Sequence, residues 1–155
     1  MNDKRKGWGG LGNGEILTEY RQIRVVLAEA ATIAVLGVSP KSDRDSHQVA
    51  RYLKDAGYRI LPVRPAQKEI LGEKAYRCLN DIDTAVDVVD AFRTPAQITD
   101  HVPEIIRLRP RVFWMQLGIE NHRAAKVLTA AGIDVVMNRC IKTDHENLFK
   151  KNIIV

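Results

Sequence analysis

The sequence predicts an α/β domain in which a five-stranded, mainly parallel sheet carries helices on both faces. Five short, mainly apolar runs predict strands, and the run 33–36 lacks polar alternation, which is typical of a parallel strand that is covered on both faces. Between these runs, apolar residues recur at helical spacing and the connections are short. Strands and helices that alternate in this way specify an open sheet with right-handed crossovers, and we therefore expect one doubly wound, Rossmann-like domain.

The first predicted elements are a helix and the strand that follows it. After Thr18, the apolar residues Ile23, Val26 and Leu27 lie on one stripe of a helix. The run 33–36 is too short for a helix and predicts the first strand, which Gly37 ends. A polar loop then precedes a second helix, whose apolar residues recur at helical spacing.

The rest of the chain repeats this strand-loop-helix unit. The predicted strands lie at 58–63, 86–91, 112–115 and 133–137, and the predicted helices at 95–108, 120–131 and 142–150. Pro95 suits a helix start, because the first helical position needs no N–H donor. We expect the segment 67–80, with a short strand at 74–76, to be a loop over the carboxyl edge of the sheet. A short apolar tail at 152–155 has no assigned role.

Length and composition are compatible with one domain preceded by an arm. A chain of 155 residues with 45% hydrophobic residues can bury one core. Residues 1–14 combine three cations with five glycines, so we expect a mobile arm there and the domain over 15–155. A Gly-X-Gly-X-X-Gly run at 7–12 follows no strand and therefore is no dinucleotide fingerprint.

Charge and cysteine content restrict the partners and the compartment. The net charge is +5, but basic and acidic residues are interleaved, which favours anionic metabolites over nucleic acid. Cys78 and Cys140 have neither a zinc-ligand spacing nor a disulfide framework. No signal-peptide core is present, and no apolar run approaches the ~20 residues that span a bilayer. We expect a cytoplasmic protein that does not bind membranes, with a protein partner or a homo-oligomer left open.

The loop after the first strand is the candidate ligand site. Hydroxyls at Ser39 and Ser46 and cations at Lys41 and Arg44 precede the second helix. A helix start directs unpaired N–H groups at a ligand, and cations there favour a bound anion. An ordinary strand-to-helix turn would also be rich in Gly and Ser. Further candidates follow from their place at strand ends, namely Gly37, Val63 and Arg64, Ala91 to Arg93, Gln116 to Gly118, and Asn138 to Cys140.

These strand-end residues resemble the small CoA-binding protein family, which is similar to the CoA-binding domain of the succinyl-CoA synthetase alpha subunit. The motifs that carry the resemblance are Ala34-Val-Leu-Gly-Val-Ser-Pro-Lys41, Pro62-Val-Arg-Pro65, Trp114-Met-Gln-Leu-Gly118 and Asn138-Arg-Cys-Ile-Lys142. It runs from about Arg24 to Leu148. One departure is Arg64, where many relatives have Asn.

The resemblance implies that CoA or an acyl-CoA is bound in the groove at the strand ends. It places the diphosphate among Gly37, Ser39, Lys41, Arg44 and Ser46, and the adenosine beside Val63 and Arg64. It assigns the rest of the groove to Phe92, Arg93, Gln116 and Cys140. Val38, Pro65 and Gly118 belong to the same set of implied binding residues.

The residues themselves leave alternative functions open. Arg64 replaces the acidic residue of an NAD-binding fold and suits a ribose phosphate, which both CoA and NADP carry. An NADP-dependent oxidoreductase is therefore an alternative, although no second glycine follows Gly37 closely. A regulatory, protein-binding subunit is another.

No catalytic group can be assigned from the sequence. Asp87 and Asp90 lie three apart on a strand and point to opposite faces. The four histidines share no metal-ligand spacing. Cys140 is interpreted as a core or groove-wall residue. We therefore expect non-catalytic binding.

Overall fold

Seven strands are present in the computed structural model, which describes residues 12–151. They are β1 (Thr32–Leu36), β2 (Arg59–Val63), β3 (Glu69–Ile70), β4 (Glu73–Lys74), β5 (Val88–Ala91), β6 (Val112–Met115) and β7 (Asp134–Val136). Five of them form one sheet in the order β2-β1-β5-β6-β7, and every neighbouring pair is parallel. The predicted five-stranded α/β class is confirmed.

The chain changes direction across the sheet between β1 and β5. Strand β2 lies on one side of β1, whereas β5, β6 and β7 follow on the other side. Leu36 at the end of β1 is in register with Val63 of β2 and with Ala91 of β5. A crevice opens beyond the carboxyl ends of parallel strands at such a point. The ends of β1 and β5 therefore mark the expected ligand position.

Five α-helices cover the two faces of the sheet. They are α1 (Tyr20–Glu29), α2 (Asp45–Asp55), α3 (Pro95–Leu108), α4 (His122–Ala130) and α5 (Ile141–His145). Buried residues of α1, α2 and α5 cluster with Ile33 and Val35, whereas those of α3 and α4 cluster with Ala34 and Leu36. Because successive strand residues point to opposite faces, these clusters are the two cores of a doubly wound sheet.

The start of α3 shows how local sequence fixes a helix boundary. Thr94 Oγ1 accepts the backbone N–H of Gln97 at 3.3 Å, and Gln97 Oε1 accepts the backbone N–H of Thr94 at 3.0 Å. Pro95 occupies the first helical position, where its missing N–H costs nothing. This capping box explains why the predicted helix at 95–108 is observed with the same bounds.

The segment after β2 lies along the outer edge of the sheet. Strands β3 and β4 pair with each other in an antiparallel hairpin. Tyr76 then forms a parallel bridge with Val63, and its N–H donates to the carbonyl of Pro62 at 2.8 Å. We expected this segment over the carboxyl edge, but these contacts follow the outer side of β2. Strand β2 lies at the edge of the sheet, and its otherwise unpaired N–H and C=O groups explain why this segment pairs with it.

The described chain begins with a segment that packs beside β7. The Gly14 N–H donates to the carbonyl of Thr129 at 2.7 Å, and the Leu17 N–H donates to that of Val135 at 2.8 Å. Ile16 also forms a parallel bridge with Val135. Residues 1–11 lie outside the described residues, so the mobile arm and the domain boundary at residue 15 stay predictions.

The last helix changes its hydrogen-bond pattern partway. Helix α5 continues directly into a π-helical turn at Glu146–Lys150. Arg24 of α1 donates its Nη1 to the carbonyl of Leu148 at 3.0 Å and thereby anchors this turn. Together, α5 and the turn account for the predicted helix at 142–150, while the tail at 152–155 lies outside the described residues. None of the helices in the described chain has the length and apolarity needed to cross a membrane.

The centre of the sheet contains a carboxylic acid among apolar side chains. Phe113 and Trp114 are fully buried and pack in the core. Asp90 in β5 is fully buried as well, and neither carboxyl oxygen has a hydrogen-bond partner in the described part of the chain. Burial raises the pKa of Asp90 well above its usual value and so favours the neutral acid.

Candidate functional site

Two adjacent cavities of about 410 Å³ each lie at the switch point and share Asp45 and Phe92. The first, which we call the polar cavity, is lined by Gly37, Ser39, Lys41, Arg44, Asp45, Ser46, Arg64 and Phe92. The second, the mixed cavity, is lined by Asp45, Gln48, Val49, Phe92, Gln116, Leu117, Ile119, Cys140, Lys142, Thr143 and Glu146. Because they share two lining residues, the cavities form one groove along the carboxyl ends of the strands.

Gly37 makes the tight turn that opens the polar cavity. Its φ of +83° lies in the left-handed region, which favours glycine. A Cβ at this position would lie 2.7 Å from the carbonyl oxygen of Phe92 and 3.2 Å from the Arg93 side chain. The chain after β1 therefore passes directly against the end of β5. Arg93 Nε is buried beside this turn and has no hydrogen-bond partner among the described residues.

Side chains within the loop hold its backbone in place. Ser46 Oγ accepts the backbone N–H of Ser39 at 2.9 Å, and Ser39 Oγ accepts the backbone N–H of Lys41 at 3.1 Å. His47 Nδ1 donates to the carbonyl oxygen of Ser39 at 2.9 Å. Both hydroxyls are thus used as acceptors within the loop. These hydrogen bonds hold the backbone that shapes the polar cavity.

Positive groups dominate the polar cavity. Lys41 and Arg44 are exposed, and neither forms an ion pair within the described residues. Arg64 is half-buried, and its Nη1 lies 3.4 Å from the Val38 carbonyl oxygen. Three cations therefore face one acid, Asp45. Arg44 makes no side-chain cap, so the first N–H groups of α2 add to a field that attracts anions.

Gln116 connects the mixed cavity to the start of α5. Its side chain is 5% exposed, and its Oε1 accepts the backbone N–H of Ile141 at 3.0 Å. The Gln116 amide nitrogen has no hydrogen-bond partner in the described chain. Cys140, which is half-buried, lines the same cavity as a free thiol. The mixed cavity thus presents an amide donor and a thiol beside apolar side chains, and its lining also includes the charged residues Asp45, Lys142 and Glu146.

An ion pair supports the loop that carries Cys140. Arg139 donates Nε to Asp144 Oδ2 at 2.7 Å and Nη2 to Asp144 Oδ1 at 3.0 Å. This hydrogen bonding raises the pKa of Arg139, whereas burial opposes the effect. The Trp114 indole N–H also donates to the carbonyl of Arg139 at 2.8 Å. The loop is therefore tied both to α5 and to the core strand β6.

The structure brings most of the sequence-predicted residues together. Those that line the groove are Gly37, Ser39, Lys41, Arg44, Ser46, Arg64, Phe92, Gln116 and Cys140. The other five line neither cavity. Val38 and Val63 are buried in the core, and Pro65 and Gly118 are exposed beyond β2 and β6. Arg93 lies beside the turn at Gly37.

The groove also contains residues that the sequence analysis missed. They are Asp45, Gln48, Val49, Ile119, Lys142, Thr143 and Glu146, whereas Leu117 lies within the predicted strand-end range Gln116 to Gly118. Asp45, Gln48 and Val49 are spaced three and four apart in α2, so helical periodicity from the loop could have indicated them. The residues from α5 gave no such signal, because that helix is distant in sequence from the loop.

The acids considered as a catalytic pair are separated in the structure. Asp87 Oδ2 accepts the N–H groups of Ala31 and Thr32 at 2.8 and 2.9 Å, at the amino end of β1. Asp90 lies in the core without a hydrogen bond. Among the described residues, no group of three or more His, Cys, Asp or Glu side chains is arranged to hold a metal ion.

Known proteins similar to this chain share its fold over most of its length. The uncharacterised protein YneT of Bacillus subtilis (strain 168) is 40% identical over 124 residues, which are 80% of this chain and 92% of YneT. The structure of cell-free ID.343 from Thermus thermophilus superimposes with a TM-score of 0.82 at 43% identity and covers 85% of this chain and 100% of that one. A hypothetical protein from Pyrococcus horikoshii OT3 gives a TM-score of 0.81 at 37% identity, over 84% and 92% of the two chains.

A protein-family model identifies the family to which this domain belongs. The model described as the CoA binding domain matches residues 31–146, which run from the start of β1 into the π-helical turn. The match includes all the elements that form both cavities. The chain therefore belongs to the CoA binding domain family.

Proposed function

We propose that the protein binds CoA or an acyl-CoA in the groove without transforming it. The observation that carries the proposal is the order of the two cavities, because a cation-lined cavity adjoins one that contains apolar side chains, an amide donor and a thiol. The parts of CoA follow the same order. Its phosphates lie on the nucleotide part, and an uncharged pantetheine arm extends from them and ends in a thiol. Membership of the CoA binding domain family supports the same ligand.

The proposal assigns each part of the ligand to one part of the groove. Backbone N–H groups and cations around Gly37 hold the diphosphate, and Arg64 faces the ribose phosphate. The pantetheine arm passes Phe92, which lines both cavities, and lies beside Gln116. The Gln116 amide then donates to a carbonyl of the arm. A reducing compartment such as the cytoplasm suits the free thiols Cys78 and Cys140.

The hydrogen bonds of the loop support binding over catalysis. Ser39 Oγ and Ser46 Oγ each accept a backbone N–H, and His47 donates to a carbonyl oxygen and not to a hydroxyl. A serine nucleophile requires a base within reach of its hydroxyl proton. These side chains instead shape the loop.

The direct test is equilibrium unfolding in urea with and without CoA. A ligand that binds only the folded state at 100 times its Kd raises the free energy of unfolding by about 2.7 kcal/mol. Ser39→Tyr should abolish this gain, because the new ring fills the polar cavity. Ser42→Tyr is the matched control, since Ser42 is an exposed residue of the same loop that lines neither cavity.

The same titration distinguishes the alternatives. A gain with NADP and none with CoA would refute the proposal and favour an oxidoreductase. A protein that responds to neither nucleotide and purifies with a stable partner would favour a regulatory subunit.

A further inference from the structure

We propose that Cys140 forms a reversible mixed disulfide with the thiol of bound CoA, an inference that rests on the proposed function. The first observation is the position of Cys140 in the groove. Cys140 lines the mixed cavity but not the polar cavity, whose cations are Lys41, Arg44 and Arg64, and one cation, Lys142, lines the mixed cavity beside it. A CoA molecule whose diphosphate occupies the polar cavity extends past Phe92 towards Cys140, and its thiol is its far end.

The second observation is the unused donor of Gln116. This side chain is 5% exposed and lines the same cavity as Cys140. The Ile141 N–H occupies its oxygen, which leaves its amide nitrogen without a partner in the described chain. This nitrogen is not fully buried, so it can donate to a ligand in the cavity. The cavity beside Cys140 is therefore suited to a ligand with a carbonyl oxygen, and the pantetheine arm contains amide carbonyls.

The third observation is that the backbone on both sides of Cys140 is held in place. The peptide groups on both sides of Cys140 are tied, because the Arg139 carbonyl accepts from Trp114 and the Ile141 N–H donates to Gln116. A thiol on such a loop does not have to be ordered when the ligand arrives. Fixed placement of two reacting groups raises the rate of their reaction.

The reaction is a thiol–disulfide exchange with a disulfide of CoA as the second reactant. Cys140 loses its proton to solvent, and its Sγ attacks one sulfur of the CoA disulfide. A new S–S bond joins Cys140 to one CoA, and the other CoA leaves as a thiolate that takes up a proton. One disulfide is consumed and one is formed, so no external oxidant is needed. Free CoA or dithiothreitol reverses the exchange.

The test is intact-protein and peptide mass spectrometry after incubation with CoA disulfide. We expect one CoA adduct on Cys140, removed by dithiothreitol, absent in Cys140→Ser and retained in Cys78→Ser. The adduct should form at least about tenfold faster than the glutathione adduct, since binding places the reacting sulfurs together. Adenosine 3′,5′-diphosphate should slow it by occupying the polar cavity.

Each of the following outcomes would overturn the inference, and CoA binding to each variant separates failure of the exchange from failure of the proposed function. An adduct on Cys78, or equal rates with CoA disulfide and glutathione disulfide, would show simple thiol exposure. CoA-induced stabilisation without any adduct would refute the exchange alone. The absence of both stabilisation and adduct would refute the proposed function and, with it, this inference.

Discussion

Gly37 is subject to a backbone constraint and to a steric constraint, and mutation can separate them. Its positive φ disfavours any side chain, and the Phe92 carbonyl oxygen occupies the space of a Cβ. Gly118 has a similar φ of +85° but no atom within 4 Å of a built Cβ. Gly118→Ala should therefore cost only the left-handed strain, about 1–2 kcal/mol.

Gly37→Ala should cost that strain and about 1–3 kcal/mol more, because Phe92 or the loop must move. Urea unfolding of both variants measures the difference. CoA-induced stabilisation should also fall in Gly37→Ala and persist in Gly118→Ala. Equal destabilisation of the two variants would show that the contact with Phe92 relaxes freely.

Arg64 lines the polar cavity, and its charge has a consequence for the choice of ligand. A charge-assisted contact with the 3′-phosphate of CoA contributes about 1.5 to 3 kcal/mol. Wild-type protein should then prefer CoA over dephospho-CoA by about tenfold to hundredfold, measured by calorimetry at fixed, modest salt.

Arg64→Ala should erase most of this preference and leave the affinity for dephospho-CoA nearly unchanged. Arg59→Ala is the matched control, because Arg59 is an exposed arginine at the opposite end of the same strand. If the wild-type protein binds both nucleotides equally, Arg64 does not contact the phosphate.

Asp90 gives the protein a pH dependence opposite in sign to that of a salt-bridged acid. Its folded-state pKa is raised by burial, so the folded protein retains a proton that the unfolded chain releases above about pH 4. The contribution of Asp90 to stability is therefore lost as pH rises. Asp90→Asn should stabilise the protein at pH 7 and lose this advantage near pH 4.

Urea unfolding at the two pH values measures the effect. Asp83→Asn, at an exposed position, is the control and should change stability little at either pH. A constant difference between Asp90→Asn and wild type would show that Asp90 ionises normally in the folded protein.

At the scale of elements, α5 is held against α2 by an aromatic cluster around His145. The Tyr52 hydroxyl lies 2.8 Å from His145 Nδ1. The rings of Tyr58 and Phe149 pack against the imidazole, with distances between ring centroids of 5.7 and 4.8 Å. Helix α5 also provides Lys142 and other lining residues of the mixed cavity. The cluster therefore supports one wall of the groove.

Protonation of His145 should weaken this packing. Burial lowers its pKa, as does the charge of Lys150, whereas Glu146 acts in the opposite direction. The unfolded chain consequently binds a proton more readily, and stability should fall as pH drops below about 6.5. Thermal unfolding between pH 7.5 and pH 5 should show a smaller decrease for His145→Gln than for wild type. His122→Gln, at an exposed histidine, should follow the wild-type curve.

The sequence predicted the bounds of a helix or strand well where the residues of that element alone contain the signal for its start and end. Strand β6 and helix α3 were predicted with their observed bounds, because an unbroken apolar run defines one and a capping box with Pro95 defines the other. The change to π-helical hydrogen bonding at Glu146–Lys150 has no comparable local signal. Tertiary contacts such as the one between Arg24 and the Leu148 carbonyl accompany it.

At the scale of the whole molecule, the two halves of the groove differed in how far they could be predicted. The polar cavity comes largely from one continuous loop, so the spacing of Ser39, Lys41 and Ser46 indicated it. The mixed cavity combines α2, the end of β6 and α5, which meet only in the folded sheet. Gln116 and Cys140 were identified from their place at strand ends and through family resemblance, whereas Lys142 and Glu146 were missed as lining residues.

Both borders of the sheet are closed by single bridges, Tyr76 on β2 and Ile16 on β7. An edge strand whose N–H and C=O groups are left unpaired can pair with strands of other copies, which leads to aggregation. Removal of residues 1–17 should therefore cause concentration-dependent association, measured by light scattering, whereas removal of residues 1–11 should not. If both truncated proteins scatter light equally, the segment around Ile16 is not needed to keep β7 from pairing with other copies. We therefore expect the short segment before α1 to keep the protein from assembling with itself.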